Sequence, residues 1–181
     1  MRKRGYEVPP LRKLQVWRAA RELREASRID AKGHVAHFPL HRFLEMGLPR
    51  VWENFYLGTK EKAEMGDDHG WTYPDRGVIF LREDVYEGLR MNRGRDRFTA
   101  AHELGHFVLH DNPLARSFKS SENLEVFRDS EWQADNFAGE FLMPVEVVRK
   151  YPDAYILAAE CGVSEIAASV RISELRKERM L

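Results

Sequence analysis

The chain has 181 residues and carries 29 Lys and Arg against 29 Asp and Glu. That balance supplies no overall field drawing it to nucleic acid or anionic lipid, and it holds no apolar run of about 18 residues that would span a bilayer. The single cysteine, Cys161, excludes an internal disulfide and fits a reducing compartment.

The start, Met1 to Tyr6, is charged and leads to Pro9-Pro10 rather than to an apolar signal core, so the expected location is the cytoplasm. Residues 11–27 place Leu11, Leu14, Val16, Trp17, Ala19, Ala20 and Leu23 on an apolar stripe, which predicts a helix. Residues 2–25 hold eight Lys/Arg against three Glu, a pattern read as a solvated basic face. His34, His37 and His41 have a spacing that a second metal site can use. No Cys or carboxylate is interleaved, and Pro39 interrupts a helix there, which argues against it. Residues 42–57 mix apolar and polar positions and read as helix or strand. Residues 58–76 are polar, with turn signals at Gly58, Gly66-Asp67-Asp68, Gly70 and Pro74-Asp75. Gly77-Val78-Ile79-Phe80-Leu81-Arg82 is the clearest strand, and 84–91 reads as a short helix. Arg93, Arg95 and Arg97 then crowd a helix start. Positive charge is badly placed for the dipole there, which suggests contact with a substrate carboxylate or partner, or local neutralisation by Asp96.

Residues 98–110 contain His102-Glu103-Leu104-Gly105-His106, an H-E-x-x-H pattern in an apolar, helix-compatible run. Asp96 or Thr99 can cap the start of this helix, and Asn112-Pro113 can stop it. On a helix the two histidines share one face and can bind one zinc ion. Glu103 is then placed to take a proton from water activated by the metal. His110 lies one turn further on and suits a supporting role behind a ligand. A catalytic zinc needs a third protein ligand. The next helical stretch, 131–144, begins with Glu131 and carries Asp135 one turn later on the same face. Glu131 is the favoured third ligand, and Asp135 is placed to accept the second N–H of a ligating histidine. Asp111, Glu122, Glu125 and Asp129 compete for the third position.

Over about residues 77–148 the chain resembles the ImmA/IrrE-type metallo-endopeptidases. The residues that carry the likeness are Arg97 to His110, Glu131-x-x-Ala134-Asp135-x-Phe137-Ala138 and Leu142-Met143-Pro144. The resemblance implies that His102, His106 and Glu131 hold zinc and that Glu103 is the catalytic base. Members of that family often have Asn where Asp135 stands; the Asp is more like the Glu-x-x-x-Asp of thermolysin-type enzymes. The resemblance further implies an α+β fold with a thermolysin-like minimal zincin core. In such enzymes substrate lies along a sheet edge above the metal helix, and Val78, Ile79, Phe80 and Leu81 would supply that edge. It also implies selective cleavage of a helix-turn-helix repressor controlling stress response, phage induction or mobile elements, in some relatives within a toxin–antitoxin-like pair. A side chain stabilising the oxyanion remains to be chosen among Tyr73, Tyr151, Tyr155 and His110.

Ala158-x-x-x-Gly162-Val163-Ser164 resembles the turn of a helix-turn-helix, with Ser164 able to cap the second helix. Residues 155–181 contain four Lys/Arg and four Asp/Glu, so they lack the basic face that a DNA reader needs. The expected organisation is a metallopeptidase core over 1–150 with a helical pair, 151–181, packed on it. The reading is a zinc-dependent endopeptidase, with manganese as an alternative ion and a protein as partner. The rival is a non-proteolytic regulatory binding protein or toxin component whose zinc is mainly structural. The intact Glu103 speaks against the rival, because a structural site has no use for a base.

Overall fold

The computed structural model describes residues 5–29, 35–110 and 125–181. Helix α1 (Lys13–Ala26) buries Val16, Trp17, Ala20 and Leu23, the stripe seen in the sequence. Residues 40–60 combine both candidate structures. Helix α2 (Leu40–Arg42) passes through a π-helical turn (Phe43–Gly47) into α3 (Leu48–Val51), and the chain then extends as β1 (Tyr56–Lys60). The polar stretch that follows is more than turns: it holds α4 (Lys62–Met65) and the short strand β2 (Gly70–Tyr73).

Strand β3 (Val78–Arg82) occupies the middle of a three-stranded sheet of order β1-β3-β2, with β1 parallel to it and β2 antiparallel. Val78, Ile79, Phe80 and Leu81 are therefore paired on both sides and are not the sheet edge expected of them. The reason is physical: a continuous apolar run marks the most buried strand, whereas edges are short and polar. Among the described residues the open edges belong to β1 and β2.

After α5 (Glu83–Arg90) come the two principal helices, α6 (Gly94–Leu109) and α7 (Ser130–Leu142), then α8 (Val145–Lys150), α9 (Ala154–Cys161) and α10 (Glu165–Lys177). One apolar cluster takes Trp17 from α1, Ile79 and Leu81 from β3, Leu104 from α6, Phe137 and Phe141 from α7, and Leu157 and Ile172 from α9 and α10. Ser164 caps α10, accepting from the Ala167 amide at 3.2 Å. Helices α6 and α7 approach closely at Gly105. A Cβ there would lie 3.1 Å from the Ala134 backbone, so a larger residue would push α7 away from α6.

Two buried guanidinium groups lock the helices together. Arg171 of α10 pairs with the fully buried Glu140 of α7, stacks 4.5 Å over the Trp17 ring, and donates to the Met143 carbonyl. Arg21 of α1 reaches the same Glu140 carboxylate at 2.6 Å. Arg97, fully buried in α6, donates to the carbonyls of Phe38 (2.9 Å), Cys161 (3.2 Å) and Gly162 (2.8 Å). It thereby ties the metal helix to the C-terminus of α9, a fitting place for a cation. Burial, its dominant influence, pulls its pKa down to about 10. Arg97 is thus no substrate contact, and Arg95 is engaged with His69 at 2.9 Å. Cys161 is buried, and that burial raises its thiol to about 12, far from a metal-binding thiolate.

Candidate metal centre

Helix α6 starts about one turn before Asp96 and nearly two before Thr99, with Arg93 at its N-cap and Asp96 already inside its first turn. It ends at Leu109; Asn112-Pro113 lies outside the described residues. The spacing sets His102 and His106 on one face, their Nε2 atoms 3.0 Å apart. Helix α7 runs against that face. Asp129 caps it, accepting from the Glu131 amide at 3.0 Å, and so fixes the first turn from which Glu131 projects. Glu131 Oε2 is 3.4 Å from His102 Nε2, and Oε1 is 3.2 Å from His106 Nε2.

Each histidine also has a partner on its far nitrogen. His102 Nδ1 is 2.9 Å from Asp135 Oδ1. His106 Nδ1 is 3.0 Å from His110 Nδ1, and His110 Nε2 is 3.1 Å from Gln133 Oε1. Glu103 lies beside the trio, with its carboxylate held by the Thr72 hydroxyl of β2, which donates to Oε2 at 2.6 Å. A cleft of about 480 Å³ opens over these groups, walled by residues 67–73 on one side and by α6 and α7 on the other. Tyr6 also lines it, its ring stacked 6.3 Å from that of His106.

The expected site residues therefore gather as follows. His102, His106 and Glu131 converge, with donor atoms within 4.8 Å of one another. Glu103 shares their cleft, while Asp135 and His110 back the two imidazoles. Of the competing third ligands, Asp129 is the α7 cap and Glu125 pairs with Arg128 at 3.3 Å; Asp111 and Glu122 lie outside the described residues. His37 and His41 do not form a second cluster: His41 sits 3.3 Å from Glu45, and His37 faces Gly162. His34 lies outside the described residues. Of the oxyanion candidates, Tyr73 lines the cleft, Tyr151 and Tyr155 do not, and His110 is committed to His106.

Sequence reasoning missed Tyr6, Thr72 and Gln133. Thr72 had a signal, since Trp71-Thr72-Tyr73 is a β-favouring run between Gly70 and Pro74. Tyr6 and Gln133 had none, because their roles arise from long-range packing.

A family model, Peptidase M78, the IrrE N-terminal-like domain, matches residues 59–173. The chain belongs to this family. No curated protein matches it. As a member of a metallopeptidase family, this M78 chain is expected to use a divalent metal, and the His-His-Glu trio is the grouping that can hold one among the described residues.

The donor set fits such an ion. A tetrahedral cation with ligands about 2.0–2.1 Å away sets its donor atoms roughly 3.3 Å apart, against 3.0, 3.4 and 3.2 Å here. The electrostatics of the M78 site agree. Burial works to lower the His102 pKa, but its bonds to Asp135 and Glu131 prevail and raise it to about 10. Burial works to raise Glu131, but the two histidines prevail and hold it far below the usual carboxylate range. Burial, aided by the charge of His106, pushes His110 down to about 3, so it stays neutral.

The sign of the pH dependence follows. Protonated His102 stabilises the metal-free fold fully below its unfolded pKa, and that contribution is lost as pH rises through about 10. A metal ion must displace that proton. Affinity is expected to rise about tenfold per pH unit between about pH 6 and pH 8, with roughly one proton released per metal bound. Calorimetric titration in buffers of different ionisation enthalpy counts the protons; an affinity flat across that range rejects a protonated His102.

Proposed function

We propose that the protein is a zinc-dependent endopeptidase that cleaves a helix-turn-helix transcriptional repressor. The observation that carries the reading is the placement of Glu103, a carboxylate fixed by Thr72 in the same cleft as His102, His106 and Glu131. Zinc held by those three side chains would supply Lewis acidity, making water acidic enough to ionise near neutral pH and polarising a carbonyl. Manganese is the alternative ion.

Glu103 takes a proton from the attacking water and delivers it to the leaving amine. Asp135 and His110 hold the imidazoles in the orientation that turns Nε2 toward the cleft. β2, the edge strand beside Glu103, is where an extended substrate chain would pair through its main chain. This replaces β3 in that role and keeps the thermolysin-like arrangement, an edge strand over a metal helix. Tyr73 and Tyr6, which line the cleft, are our candidates for stabilising the developing oxyanion.

Support for a polypeptide substrate comes from a second groove. It shares Phe98, Thr99 and Asp135 with the cleft and continues along Trp132, Met143, Ile166 and Val170. Ile166 and Val170 are 78% and 64% exposed on α10. That apolar face offers a substrate chain contact area beyond the scissile bond. It also speaks against α10 as a DNA-reading helix, which would need Lys and Arg there. We assign residues 1–150 to the peptidase core and 151–181 to a helix-turn-helix-like pair docked on it, and we place the protein in the cytoplasm. The choice of a repressor as substrate rests on the family resemblance.

The test is incubation of the protein with the helix-turn-helix repressor encoded nearest its gene. Discrete fragments that vanish with a chelator and return with zinc are expected. A stable complex that never yields fragments would favour the binding-protein reading instead.

A further inference from the structure

The N-terminal residues 5–11 form no helix of their own. They run as a strap along the chain entering α7. The Gly5 amide donates to Asp129 Oδ1 at 3.1 Å, and the Tyr6 amide donates to Ser130 Oγ at 3.1 Å. The Val8 and Leu11 amides donate to the carbonyls of Arg128 (2.9 Å) and Phe127 (3.1 Å), and Glu7 bridges Asp129 in antiparallel fashion. The dock is tight: a Cβ on Gly5 would fall 2.1 Å from Ser130 Oγ. Val8 is buried within it.

The strap also reaches the metal centre by a second route. Gln133, fully buried, donates from Nε2 to the carbonyl of Pro9 at 2.9 Å and to that of Phe127 at 2.8 Å. Carbonyl oxygens can only accept, so both amide hydrogens are committed and the orientation of the amide is fixed. Its Oε1 must then face His110 as an acceptor, and His110 Nε2 must carry a hydrogen. The two Nδ1 atoms share one hydrogen, and His106 can turn a bare Nε2 to a metal only if that hydrogen is its own. His106 Nδ1, 3.0 Å away, must therefore be the donor. In the neutral imidazole that a metal requires, the lone pair of His106 then lies on Nε2, the atom that faces His102 and Glu131. Two carbonyls, that of Pro9 on the strap and that of Phe127, which the strap's Leu11 amide also holds, thus stand at the head of a chain of choices that ends at a candidate metal ligand.

We propose that the strap, acting through Gln133 and His110, fixes the metal-binding tautomer of His106, so that strap docking and metal affinity are thermodynamically coupled. Gln133 is a positioning residue in this relay. The inference rests on the reading of His106 as a metal ligand. The two imidazoles are then held by unlike means: His102 by a carboxylate, His106 by a neutral relay anchored far away in sequence. A partner or modification that lifts the strap would loosen the metal without touching a ligand.

The test uses the full chain and cobalt(II) or zinc(II) in competition with a chelator, read as Kd and as the visible spectrum of the cobalt form. Gln133→Leu removes both ends of the amide bridge. Val8→Asp undocks the strap while leaving every relay side chain in place. Gln133→Leu is expected to weaken binding by about 10–100-fold, the usual effect of losing a partner behind a metal-ligating histidine. Val8→Asp should weaken it by about tenfold, and the double variant should bind no more weakly than Gln133→Leu alone, because both cut one relay. A merely structural role would lower the melting temperature of the metal-free protein and leave Kd unmoved; that result, or losses that add in the double variant, overturns the proposal. Should Gln133→Leu fail to fold, a wild-type Kd in Val8→Asp overturns it alone. A wild-type chain that binds neither ion would instead sink the metal-site reading beneath it.

Discussion

Glu103→Gln is expected to lower peptide cleavage by about 10²–10⁴-fold, the range associated with a lost general acid–base group, while metal content per chain stays at the wild-type level. Glutamine fills the same volume, and its amide oxygen still accepts the Thr72 hydroxyl now 2.6 Å from the carboxylate. The trio that could hold a metal does not include residue 103, so its donor atoms stay where they are. What disappears is the ability to accept a proton from water and return it to the leaving nitrogen. Cleavage assays on the proposed repressor substrate and metal analysis on the same preparation check this; full turnover in a metal-replete variant would remove Glu103 from the role of base.

The largest effect on stability is expected at Glu140, far from the cleft. Glu140→Leu removes the buried partner of Arg171, whose side chain is 2% exposed, and leaves it only Glu174 at 3.0 Å on the rim. Arg21, at 40%, can turn to water, but Arg171 cannot. Breaking a buried pair by removing one partner costs about 3–5 kcal/mol; with Glu174 still in place the expected cost is the lower end of that range, a fall in Tm of roughly 10 °C for a chain of this size. Adding Arg171→Met should restore most of it, since an apolar pair of similar volume tolerates the site. Thermal unfolding of the single and double variants decides the matter, and a Tm within about 2 °C of wild type in the single variant would show that the pair is not what holds α10 to α7.

Local pattern carried the reading furthest where one period dominated. The stripe of α1, the helical run through His102 and His106, the Ser164 cap and the apolar run of β3 were all legible, because each is written in neighbouring residues. Glu131 and Asp135 could be chosen because one turn of α7 separates them. The strand β2 was hidden among turn signals, since a four-residue edge strand has too few positions to show alternation. The apolar run of Val78–Leu81 was placed at the rim when burial had put it in the middle. Arg97 misled for a related reason: a charged residue suggests solvent or a ligand, and nothing nearby in sequence announces the carbonyls of residues 161 and 162 that surround it. The Pro9–Gln133–His110 linkage joins segments more than a hundred residues apart, and only folding brings them together.

β2 pairs with β3 along one side, is an edge strand among the described residues, and lines the cleft beside Glu103. Such a template accepts only a stretched-out polypeptide. If the protein cleaves as proposed, a target whose cut site is coiled into a helix must first open there, so its lifetime would follow the free energy of that local opening. Selectivity would then be governed as much by the target's own fraying as by the pockets it meets.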